Sequence, residues 1–179
     1  MMNMEIWEKA VAFHGHTCGG LALGVRAAME AQRRFGVERA EDEEIVCVTE
    51  NDACGVDGIQ FVLGCTLGKG NLIYRGTGKF AFSFFNRKTG ESFRLMARDK
   101  KEGLRGAQYI EYVLTAPIGE IFAEGKPRAE LPEPARSLNS VKCSLCGEAA
   151  AETKMRVLDG KPVCIDCFRE RGGQYGRGW

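Results

Sequence analysis

Two CxxC pairs, CSLC from Cys143 to Cys146 and CIDC from Cys164 to Cys167, stand seventeen residues apart near the end of this 179-residue chain. That spacing falls in the range of paired zinc knuckles. A CxxC turn can present two thiolates to one ion because its backbone amides point at the sulfurs, and four thiolates complete a closed tetrahedral shell. A closed shell leaves no place for a substrate. Between the pairs, MRVLDGKPVC alternates apolar residues around Asp159-Gly160, a dipeptide typical of a tight hairpin, and FRERGG after Cys167 reads as a short helix. Knuckle, hairpin and a helix whose first turn carries the second pair is the order of a treble-clef finger. So short a segment cannot fold on apolar burial alone, and the metal supplies its stability. The rival readings are a redox-active CxxC, which would normally show one motif, and an iron site.

The other four cysteines are scattered through a chain that is 44% hydrophobic and has core enough to need no disulfide staples. Metal and thiol chemistry in a reducing compartment accounts for the eight cysteines better than a disulfide framework. No stretch approaches the roughly 20 apolar residues that span a bilayer, and MMNMEIWEKA carries acidic residues where a signal peptide carries basic ones. The expectation is a soluble cytoplasmic protein with no membrane partner. Up to Gly125 there are 15 basic and 17 acidic residues, leaving 10 and 7 of the totals of 25 and 24 beyond it. Neither part is a polycation, which argues against nucleic acid as the main partner.

Ile6, Trp7, Ala10 and Val11 lie at helical spacing, and a second amphipathic helix runs from Cys18 to Phe35 before a capping Gly36. IVCVT at 45–49 is a buried strand, and VDGIQFVLGCTLG reads as a helix ending near Gly68. LIYR, KFAFSFF and ESFRLMAR follow, the last two joined by the turn NRKTG, and suggest an antiparallel meander. GLRGAQYIEYVLTA is a further helix, and KPRAELPEPARSLNS, with its three prolines, a linker. Helices grouped early and strands grouped together favour an α+β fold, helices packed on a mainly antiparallel sheet. The expected division is a metal-binding core at 1–125, a linker at 126–140 and the treble-clef finger at 141–179.

FHGHTCGG holds the only two histidines of the chain, His14 and His16, just before Cys18. A histidine and a cysteine one residue apart at a loop-to-helix junction can turn toward one ion, while free amides at the helix start favour the thiolate. His16 and Cys18 are the first candidate ligands. NDACGVD supplies Cys54 at another helix start, with Asp52 and Asp57 beside it to complete a mixed shell or move protons. His14 is either a further ligand or the group that orients one. Cys65 would lie about three turns along the same helix from Cys54, too far to share an ion unless the glycines break the helix. In GCTLGKGN, Lys69 and the neighbouring glycines could contact an anion, though no Walker loop is present. NRKTG could also contact an anion, but a charged hairpin turn needs no function.

Taken together, FHGHTCGGLALGVRAA, ENDACGVDGIQ, GCTLGKGNL, GKFAFSFFNRKTG and the trailing CxxC pairs resemble the FmdE family, the E component of formylmethanofuran dehydrogenase. The likeness covers residues from about 10 to 97 together with the finger. It implies an α+β core with a metal site in a cleft, an auxiliary zinc finger and a homodimer. It also implies association with the other components of a molybdenum or tungsten enzyme that interconverts carbon dioxide and formylmethanofuran, an oxidoreductase of methane metabolism (methanogenesis). Where the family pattern generally has proline after the motif cysteine, this chain has Gly19, which loosens the loop backbone and keeps the spacing of His16 and Cys18.

Two functions compete on this reading. In the first, His16, Cys18 and Cys54 hold a transition metal (zinc, nickel or iron) with an open position, and Cys54, Asp52 and His14 are the candidate catalytic groups. In the second, the finger and its basic tail RERGGQYGRGW act as an adaptor that docks a protein or nucleic acid without catalysis. Thiol redox chemistry by Cys18 and Cys54 is a third, and requires the two sulfurs to come within bridging distance.

Overall fold

The apolar stripe of residues 19–35 makes the central helix of the first unit. In the computed structural model, which describes residues 4–173, α2 (Gly19–Phe35) buries Leu21, Ala22, Val25, Ala28 and Ala31 and stops at Gly36. Gly36 takes φ 61°, which glycine adopts without a Cβ clash, and its amide returns to the carbonyl of Gln32. Before it, α1 (Met4–His14) buries Trp7 and Ala10. After it, β1 (Ile45–Thr49) is buried along its whole length.

From β1 the chain enters α3 (Gly55–Leu63), which is shorter than its sequence suggests. Gly64 turns left-handed at φ 76°, and a Cβ there would stand 2.8 Å from the carbonyl oxygen of Ala40. The helix therefore ends well before Gly68, and Cys65 falls outside it. β2 (Leu72–Tyr74) then runs parallel to β1, while β3 (Ala81–Asn86), β4 (Ser92–Ala97) and β5 (Phe122–Gly125) are antiparallel, in the order β2-β1-β3-β4-β5. The expected three-strand meander is thus corrected. α3 acts as a crossover that returns the chain to the far side of β1, so β2 and β3 flank β1 rather than each other. The hairpin at NRKTG joins β3 and β4 with Phe84 opposite Phe93. β5, unforeseen in the sequence, follows α4 (Gly106–Thr115) and the short α5 (Ile118–Ile121).

Alternation along the strands sorts two faces. Ile45, Cys47, Phe82, Phe84, Phe93, Leu95 and Phe122 join the helices in the main core, whereas Val46, Val48 and Phe85 form a second cluster with Ala129. The stretch 126–135 is packed in the first unit: Arg75 donates to the carbonyl of Arg128, and the Ala135 amide to the carboxylate of Glu43, 2.8 Å from Oε2. A buried ion pair, Arg94 Nε to Glu50 Oε1 at 2.5 Å, adds a polar contact in which Thr77 also donates to Glu50.

The contacts divide the chain between Ala135 and Arg136. In the second unit, β6 (Ser140–Lys142) pairs with β7 (Ala149–Ala151) around the first CxxC. β8 (Arg156–Leu158) pairs with β9 (Lys161–Val163) across Asp159-Gly160, whose φ angles of 49° and 74° are those of a type I′ turn. α6 (Ile165–Glu170) starts at Cys164 as its N-cap. The whole is an α+β protein with a four-cysteine finger. No helix among the described residues is long and apolar enough to cross a membrane.

Candidate metal centres

Two groups of metal-ligating side chains form, one in each unit. In the second, the sulfurs of Cys143, Cys146, Cys164 and Cys167 all lie within 4.8 Å of one another. Amides supply the expected support: Leu145 and Cys164 donate to the Cys143 sulfur at 3.4 and 3.3 Å, and Cys167 donates to that of Cys164 at 3.5 Å. Backbone donation, from Cys146 foremost and then from Cys164, lowers the Cys143 thiol to about 6. Cys167 is pushed the other way, chiefly by its bond with the Cys164 thiol and then by burial. Four such sulfurs cannot all ionise together without a cation, and a divalent ion removes that conflict. The donor set fits a structural zinc.

The core group consists of His14, His16, Cys18 and Cys54, with ligand atoms again within 4.8 Å of one another. His14 closes α1, Cys18 is the N-cap of α2 and Cys54 the N-cap of α3. Gly15, at φ 95°, makes the turn between the two histidines, whose rings lie 4.4 Å apart. What brings Cys54 to Cys18 is glycine. A Cβ at Gly24 would fall 2.0 Å from the carbonyl oxygen of Gly55, and one at Gly58 2.5 Å from the amide nitrogen of Val25. α2 and α3 therefore pack backbone to backbone, with their starts side by side.

Within the group, the Leu21 amide donates to Cys18 Sγ at 3.3 Å, and His14 Nε2 stands 3.9 Å from the same sulfur. Tetrahedral bonds of about 2.1 Å to nitrogen and 2.3 Å to sulfur place donors roughly 3.3–3.8 Å apart, so a small contraction would seat an ion. His14 Nδ1 lies 2.7 Å from Asp57 Oδ2, and Gln60 donates to the other oxygen of that carboxylate at 3.1 Å. This is the carboxylate–histidine arrangement that fixes a ligand's tautomer and aims Nε2 at a metal. Burial, and then the neighbouring Cys18 thiol, raise the Cys54 thiol. A cation would offset both effects. On chemistry and spacing the residues fit a transition ion.

The remaining sequence candidates are placed elsewhere. Asp52 is exposed and stands outside the donor group; Asp57 is the carboxylate that meets it. Lys69 donates to the carbonyls of Ala40 at 2.9 Å and Glu41 at 3.4 Å, holding a loop. Cys65 is buried, with its thiol raised to about 12 by burial and its sulfur 3.5 Å from the carbonyl oxygen of Ile45. Cys47, also buried, is likewise raised by desolvation. The tail residues Tyr175 and Trp179 lie outside the described residues.

A cleft of about 570 Å³ adjoins the core group, with Cys18 and Cys54 in its wall beside Leu23, Phe80, Tyr109 and Ile110, and with Lys100 also lining it. Sequence reasoning missed these lining residues, which come from separated elements and share no motif. The helix-interior glycines Gly24 and Gly58 were the one local sign that α2 and α3 touch.

Comparison with known proteins agrees with this architecture. Residues 136–171 match the prokaryotic dksA/traR C4-type zinc finger. A protein of Archaeoglobus fulgidus named a probable S-adenosyl-L-methionine-binding protein is 31% identical, over 95% of this chain and 54% of its own length. The chain thus spans about half of that relative. A crystal structure of an FmdE-like protein from Syntrophus aciditrophicus, described as of the tungsten formylmethanofuran dehydrogenase type, shares the fold, with a TM-score of 0.66 at 24% identity over 96% of this chain and 94% of that one. Residues 13–123, which contain all four donors of the core group and the cleft, match the family described as FmdE, molybdenum formylmethanofuran dehydrogenase operon, and the chain belongs to that family.

Proposed function

We propose that this FmdE-family protein works through a single transition-metal ion held in the core by His14, His16, Cys18 and Cys54. The finger's zinc serves only as a scaffold. The observation that carries the reading is the convergence of the four donors from two separate segments onto one point, with His14 oriented from behind by Asp57. Two nitrogens and two sulfurs suit zinc, with nickel or iron as the other candidates. When bound, such an ion supplies a Lewis acid that polarises a carbonyl or lowers the pKa of water.

The chain's own residues do the rest. Asp57 holds the proton on His14 Nδ1 and leaves Nε2 free for the ion. His16, exposed, opens the site to solvent on one side, while Phe80 and Tyr109 keep water from the other. Asp52, exposed two residues before Cys54, is the proposed proton carrier between the site and bulk water. From the family's description we further propose a homodimeric cytoplasmic partner of molybdenum- or tungsten-dependent one-carbon redox enzymes.

Elemental analysis of the purified full chain tests the metal reading. Two ions per chain are expected, falling to one in His16→Ala and Cys54→Ala with the finger's zinc retained. One ion per chain in the native protein would overturn it.

A further inference from the structure

We infer that the cleft beside Cys18 and Cys54 binds a small organic monoanion, a carboxylic acid with an apolar ring-sized body whose carboxylate meets the ammonium of Lys100. The inference rests on the metal-centre reading for what such a ligand does there, and on the cleft alone for its being bound.

Size comes first. About 570 Å³ lies within the range of roughly 300–1,000 Å³ typical of small-molecule sites. The walls come next. Leu23, Phe80, Tyr109 and Ile110 present apolar surface, and at Gly19 the backbone is bare because a Cβ would stand 2.6 Å from Cε1 of Tyr109. The glycine that replaces the family's usual proline is therefore what lets Tyr109 lie against the start of α2. A flat apolar body slides between such walls and releases water from them.

Charge then narrows the class. Lys100 is the charged side chain that lines the cleft, and its Nζ sits 5.3 Å from the centroid of the Tyr109 ring, so the cation is held over the wall. One ammonium can compensate one carboxylate. A nucleoside polyphosphate would carry several charges into an apolar cleft with a single partner, and the uncompensated desolvation excludes it. A neutral apolar ligand would leave the positioned ammonium unused.

Isothermal titration of the metal-loaded full-length protein tests this with naphthalene-2-carboxylate, its uncharged analogue naphthalene-2-carboxamide, and inorganic phosphate. The acid should bind about fivefold more tightly than the amide, the scale of a part-exposed ion pair. Lys100→Met should abolish that preference and leave amide binding within about twofold. Ile110→Trp should block both, and because that variant could be disturbed in its fold, amide-shift mapping on the unsubstituted protein gives a second readout. The acid should perturb Gly19, Gly20 and Tyr109. Equal affinity for acid and amide, a preference that survives Lys100→Met, phosphate competing as strongly as the acid, or shifts confined elsewhere would each overturn the inference. Metal content of the same samples separates the two readings. Two ions without acid binding sinks the cleft alone, whereas one ion with acid binding sinks the metal centre and upholds the cleft.

Discussion

Replacing Gly24 by alanine adds one methyl group where two helices already touch. Its Cβ would stand 2.0 Å from the Gly55 carbonyl oxygen, whereas ordinary contact begins at 3.4 Å, so α2 and α3 must separate by 1.4 Å, the difference. The obstacle is backbone and cannot rotate away. Overpacking of this kind costs about 1–3 kcal/mol, and a clash with a carbonyl belongs at the upper end. Alanine's better helix propensity returns about 1 kcal/mol, leaving a net loss of about 2 kcal/mol. For a unit of this size that lowers the melting temperature by roughly 6–10 °C. The same displacement draws Cys54 from Cys18 in a site whose bond lengths tolerate about 0.2 Å. Calorimetry and elemental analysis after dialysis against a mild chelator should therefore show a destabilised first unit and loss of the proposed core ion, with the finger's zinc kept. Gly119→Ala, where the Cβ meets nothing within 4 Å, is the control and should change neither. A Gly24→Ala protein that melts with the parent and holds two ions would refute the argument from close approach.

Asp57→Asn should weaken the core ion about 10–100-fold, measured by chelator competition, because the amide no longer fixes the His14 tautomer; an unchanged affinity would remove Asp57 from the site. Cys143→Ser should abolish the order of residues 136–173 in heteronuclear spectra and leave the first unit's signals in place, since that cluster is folded by its metal. Arg94→Met leaves the Glu50 carboxylate buried and unpaired and should cost about 3–5 kcal/mol by denaturant titration. The pair also sets an acid limit. Bonding to Arg94, foremost, lowers the Glu50 pKa, so its contribution is complete above the ordinary glutamate value of about 4.3 and is lost as pH falls through the lower folded value. Arg94→Met should flatten that part of the stability profile.

Much of this was legible in the chain. Periodicity gave α2 to within a residue, and Gly36 ended it as a glycine cap should, because both signals are local. The finger was legible for the same reason: two CxxC turns and Asp159-Gly160 fix geometry within a few residues of themselves. In the core, His16, Cys18 and Cys54 were readable as chemistry at helix starts, and the structure brings them together with His14. The choice of Asp57 over Asp52 was not readable. Either carboxylate lies near Cys54 in sequence, but only the one inside the first turn of α3 faces the end of α1. The meander failed because strand order depends on where α3 carries the chain, and no residue of LIYR records that it pairs with β1. The cleft was invisible for a related reason: Leu23, Phe80, Lys100 and Tyr109 lie on four separate segments.

Arg26 gives the cleft its mechanical character. From the middle of α2 its guanidinium donates to the carbonyls of Val113, Leu114 and Ala116 at 2.7, 2.6 and 2.8 Å, gripping the C-terminal end of α4. Near the opposite end of α4, the Tyr109 ring rests on Gly19 at the start of α2. Pinned at two points to one helix, the wall that carries Tyr109 and Ile110 has little freedom left to surrender when a ligand arrives. Its ordering entropy is spent during folding, so entry should proceed without a closing motion and affinity should follow the fit of the ligand to a preformed space.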